Sequence, residues 1–130
     1  MTLDVTIGKI IADEIYDDTI NPMYWIKQCP DSETPICDID HTLWIVEAYR
    51  SGSTEFWNFF FNHVGKMYKE MRSNPNSNDR DVVCITPFLD RINSLNTPSD
   101  PTHADRMKWL KYWCNKAVEL YGKEAGMMFT

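Results

Sequence analysis

The sequence predicts an α/β domain, a small parallel sheet flanked by helices, on three observations. One is the apolar, β-branched run DVVCIT at residues 81–86, bounded by turn-forming residues. The second is another short apolar run, ICDID at 36–40, and the third is a pair of long helical stripes, at 53–72 and from 101 onward. A short run that is apolar at nearly every position reads as a strand covered on both faces, the habit of parallel sheets. The alternative is an all-α helical bundle, because residues 3–16 and 36–50 also carry apolar side chains at helical spacing.

At 130 residues the chain has the size of one domain, 1–130, able to bury about two thirds of the surface of its unfolded form. No apolar run reaches the roughly 20 residues that cross a bilayer, and no basic-then-apolar leader opens the sequence, so membrane insertion and export are not expected. Cys29, Cys37, Cys84 and Cys114 form no C-x-x-C pair, and reduced thiols in a cytoplasmic protein are the plain expectation. Charge is divided unevenly: residues 1–55 hold eleven acids against three bases, net −8, and residues 56–130 eight against ten, net +2. Such an acidic half repels a phosphate backbone, which disfavours a protein that coats nucleic acid. It suits a bound cation or a basic protein partner; a homodimer is the other association expected.

Taken in order, residues 3–16 read as an amphipathic helix through Leu3, Ile7, Ile10, Ile11 and Ile15, although TLDVTI also alternates as a strand would. Asn21-Pro22 interrupts this segment and opens a short helix through Met23, Trp25 and Ile26. CPDSETP, 29–35, is loop by composition. In residues 53–72 Phe56, Phe59, Phe60, Val64, Met67 and Met71 recur at intervals of three and four, a helical stripe. NPNSND is a turn, DVVCIT a strand, and Thr86-Pro87 starts a helix. Asp100-Pro101 has the form of an N-cap followed by proline at the first helical position. Met107, Leu110, Cys114, Ala117, Val118 and Tyr121 then share one face, Gly122 stops the helix, and MMF forms a last short strand.

The chemistry-bearing stretch is ICDIDHTLW. As part of a helix it would place Asp38 and Asp40 about 200° apart, with the acids merely complementing the helix dipole. As a strand it would put both carboxylates on one side, able to address a single phosphate or cation. A carboxylate can attack phosphorus where a divalent cation offsets charge and a second acid manages the leaving-group proton.

In this form the stretch resembles the first signature of the haloacid-dehalogenase-like phosphohydrolases, an apolar strand followed by D-x-D-x-T. The resemblance implies Asp38 as nucleophile, Asp40 as general acid and base and as a Mg²⁺ ligand beside Asp38, and Thr86, ending DVVCIT, as the hydroxyl that holds the phosphoryl group. It covers residues 36–129 and implies a site at the carboxyl ends of parallel strands. The family's lysine and its closing acid pair have no counterpart downstream. GKIIADEIYDDTINPMYW upstream is similar to that closing segment, with Lys9 as the lysine and Asp17 and Asp18 completing the metal site in a circularly permuted member. The expected function is then Mg²⁺-dependent hydrolysis of a nucleotide or other small phosphomonoester through an aspartyl-phosphate. The rival expectation is a non-enzymatic acidic, helical protein that binds and inhibits a basic, nucleic-acid-binding partner.

Overall fold

The computed structural model describes residues 2–12, 24–33, 36–37, 44–53, 57, 69–70 and 82–130. Its main sheet contains β1 (Thr2–Ala12), β2 (Tyr24–Gln28), β5 (Tyr49–Ser53), β6 (Val82–Cys84) and β7 (Ala125–Phe129), and every pairing within it is antiparallel. This overturns the parallel α/β sheet, and with it the phosphohydrolase-like fold; the seven strands among the described residues equally overturn the all-α bundle. The run at 82–84 is a buried strand as its composition predicts, but its cover on both faces comes within an antiparallel arrangement. The first and last strands of the chain lie side by side, with Asp4 and Thr130 exchanging two backbone hydrogen bonds, and they run antiparallel.

Residues 3–16 do not form a helix over their described part. β1 is a single strand of eleven residues, long enough to hold two partners end to end along one edge. Thr2–Thr6 pair with β5 and Gly8–Ala12 with β2, while β7 occupies the other edge across Val5–Lys9. The junction is Ile7, whose N–H donates to the Ala48 carbonyl and whose carbonyl accepts from the Cys29 N–H. Tyr24–Gln28, expected as a short helix after Asn21-Pro22, is the strand β2. Of the stretch 36–50, expected either as a strand ending in Asp40 or as one helix, Ile36–Cys37 form the two-residue strand β3 and Trp44–Ile45 its antiparallel partner β4, off the main sheet and followed by β5, which overturns the helix; residues 38–43 lie outside the described residues. Of the stripe at 53–72, Trp57, Lys69 and Glu70 are helical, Ser53 belongs to β5, and the remainder lies outside the described residues.

A 3-10 turn at Thr86–Phe88 leads into the short helix α1 (Leu89–Asn93), and α2 (Pro101–Tyr121) follows. The ends of α2 form as the sequence predicts. The Asp100 side chain accepts from the Thr102 and His103 N–H groups, satisfying two donors that a helix start leaves open, and Pro101 needs none. Gly122, at φ 55°, ends the helix in a backbone conformation that side chains resist. Between them Met107, Leu110, Cys114 and Ala117 are buried with Trp109 and Trp113. This face packs on Val5, Ile7, Val83, Ala125, Met127 and Phe129, which by register share one side of the sheet. Emptying a buried aromatic position such as Trp113 costs about 3–5 kcal/mol.

The other side of the sheet carries a second cluster, Ile26, Val82 and Met128, with Ile10 and Tyr24 against it. β2 can reach Val82, three strands away, only if the sheet coils over on itself, and two glycines make room for this. A Cβ on Gly8 would strike the Lys27 carbonyl oxygen, and one on Gly126 would strike the Ile10 and Ile26 side chains. Among the described residues no helix is long and apolar enough to cross a membrane.

Candidate functional surface

Of the residues expected to build a phosphohydrolase site, Asp38, Asp40, Asp17 and Asp18 lie outside the described residues. Lys9 and Thr86 are described, and the fold draws both to the 3-10 turn Gly122–Glu124 that joins α2 to β7. The Thr86 hydroxyl donates to the Gly122 carbonyl, the Ile85 N–H donates to the Ala125 carbonyl, and the Lys9 ammonium stands 3.4 Å from the Glu124 carboxylate. These contacts tie the end of the helix to the sheet. Thr86 is not an N-cap, since Ile85 holds that position without a side-chain bond, and its hydroxyl is spent on the turn. Among the described residues no group of three or more His, Cys, Asp or Glu side chains could hold a metal ion.

Cys29, Cys84 and Cys114 are free and buried. Burial pushes the Cys29 thiol up to about 11, against a smaller opposing effect of Lys116, and raises Cys114 further. Burial of this kind disfavours the thiolate.

What the described part of the acidic half does build is a polar surface around β5. The Ser32 N–H donates to the Val46 carbonyl, bringing the 29–33 loop alongside the segment that enters β5. The exposed Asp31, Glu33 and Glu47 flank that bond, and Asp4 lies next along the sheet, opposite Ser51. Beside Asp4 and Glu47, Tyr49 stands with 39% of its surface exposed. Along its cross-sheet row exposure falls from Tyr49 to Thr6 at 9%, Met128 at 5% and Val82 at 0%, so Tyr49 is the wet end of an otherwise buried row. The hydrogen bond of its phenol with Asp4 holds the Tyr49 pKa above its ordinary value, and the negative charges of Asp4 and Glu47 add to this.

The same segment is pinned from the opposite face. Strand alternation turns Arg50 toward α2, where its guanidinium donates to the Asp105 carboxylate at 2.6 Å, a half-buried pair. One turn further on, the Trp109 indole N–H donates to the Glu47 carbonyl at 2.8 Å. The charge imbalance of residues 1–55 pointed to an acidic face, whereas Tyr49, Arg50, Asp105 and Trp109 carried no local pattern that would have found them. Set against protein-family models, curated proteins and solved structures, the chain finds no match in any of the three.

Proposed function

We propose that the chain is a binding protein that docks, through the acidic surface around β5, onto the basic surface of a nucleic-acid-binding partner and competes with nucleic acid for it. The observation that carries this reading is the exposed Tyr49 with Asp4 and Glu47 beside it, on a strand held by α2, together with the exposed Asp31 and Glu33 on the loop bonded to the segment that enters this strand. Carboxylates gathered on a fixed surface steer a cationic partner and set its register, and their attraction falls with ionic strength. Pinning β5 beforehand lowers the ordering cost of association.

The test is fluorescence anisotropy of a labelled Lys/Arg-rich peptide titrated with the chain at low and high salt. It is repeated with an Asp31→Lys, Glu33→Lys, Glu47→Lys variant, and with Glu119→Lys, a single exposed acid on α2, as the control. Salt-sensitive binding lost in the triple variant and kept in the control supports the reading; absence of binding at low salt sinks it. Release of phosphate from nucleotides with Mg²⁺, abolished by Asp38→Asn, would instead return the hydrolase reading.

A further inference from the structure

The Tyr49 ring is the apolar element of this surface, and its neighbours narrow the chemistry of what can cover it. Tyr49 pairs with Thr6 and Asp4 with Ser51 across β1 and β5, so Tyr49 and Asp4 form a diagonal pair on one face of the sheet. Neither is free to wander. The Asp4 backbone bonds Thr130 through both its N–H and its carbonyl, and β5 is tied to α2 by the Arg50–Asp105 pair. An ionised carboxylate has roughly four lone-pair directions, so Asp4, diagonal to Tyr49 on the same face, can receive several donors at once.

We propose that this face docks an arginine side chain of the basic partner, its guanidinium stacked on the Tyr49 ring and hydrogen-bonded to Asp4, with Glu47 beside it. This rests on the reading of the chain as a docking protein for a basic surface and specifies the group recognised. A guanidinium is planar, weakly hydrated and forked, and so can stack on a ring while donating in plane to a carboxylate. A lysine ammonium is a compact, strongly hydrated point charge that gains the carboxylate attraction and little of the stacking. The surface is therefore arginine-selective.

The experiment compares two labelled peptides of one sequence, every basic position arginine in the first and lysine in the second, titrated with the full chain at low salt. The arginine peptide is expected to bind roughly two- to fivefold tighter, the size of an exposed cation–π contact. Tyr49→Leu should abolish that preference, and Tyr49→Phe, which keeps the ring, should retain most of it. Equal affinities in the native chain, or a preference that survives Tyr49→Leu, overturns this inference alone. Failure of both peptides to bind overturns the docking reading and this inference with it.

Discussion

The two halves of β1 share an edge and differ in what that edge is used for. Beyond Ile7, Gly8–Ala12 carry β2 inward: the strand coils over, Gly8 receives the Lys27 carbonyl, and Ile10 and Ile26 close on Met128 and Val82. Before Ile7, Thr2–Thr6 carry β5, which is held from the helix side by Arg50–Asp105 and Trp109–Glu47 and leaves Tyr49 and Asp4 at the surface. One half uses its pairing to bury apolar area, the other to hold a polar surface still. The difference teaches that a single strand can serve stability along one stretch and recognition along the next, provided the sheet bends between them. Here the bend comes where a residue without a Cβ follows the junction.

Four measurements would break or sharpen this contrast. The largest effect is expected from Gly8→Val, which drives a branched side chain into the Lys27 backbone and should lower unfolding free energy by about 3 kcal/mol in urea titration. A loss below about 0.5 kcal/mol would mean that the coil of the sheet does not depend on close approach at Gly8. Next, Trp109→Phe keeps an aromatic ring in the core and removes the N–H that reaches the Glu47 carbonyl, at a cost of about 1–2 kcal/mol. The same variant should speed amide exchange in β5 more than in β2, since only β5 hangs on that bond.

Tyr49→Leu should change stability by less than about 0.5 kcal/mol, as befits a side chain on the recognition half. A large loss there would show that the residue packs rather than displays. The smallest signal is spectroscopic. Followed by its ultraviolet absorbance, the Tyr49 phenol should ionise at higher pH than an ordinary tyrosine near 10, and Asp4→Ala should remove most of the shift. Because the folded-state value is raised, the protonated phenol is the form that folding favours. Its contribution is therefore intact below the ordinary tyrosine value and is lost as pH rises through the raised one.

How much of this was legible without the fold depends on the range over which each feature is decided. Asp100-Pro101, Gly122 and the Met107–Leu110–Cys114–Ala117 face are fixed by neighbours within a turn or two, and α2 starts, stops and faces inward as its sequence predicts. The buried strand at 82–84, the last strand at 125–129 and the acidity of residues 1–55 were readable for the same reason. Residues 3–16 misled because β1 is apolar on both sides: Val5 and Ile7 face α2 while Ile10 turns to Ile26, and two-sided burial erases the period-2 alternation and imitates helical spacing.

Strand direction was beyond any local pattern. Val82–Cys84 looks the same whether its neighbour runs with it or against it, and that neighbour, β7, follows a long helix and itself pairs with β1. The D-x-D-x-T stretch likewise specified residue types without specifying the sheet that would aim them, and Lys9 and Thr86 met at the Gly122–Glu124 turn in roles of closure. By itself, then, the sequence determined the caps, the helix face, the short buried strands and the sign of the charge, all set by residues close along the chain. Only the tertiary structure decided the antiparallel order, the coil at Gly8 and the exposure of Tyr49 beside Asp4, because each depends on which distant segment arrives alongside.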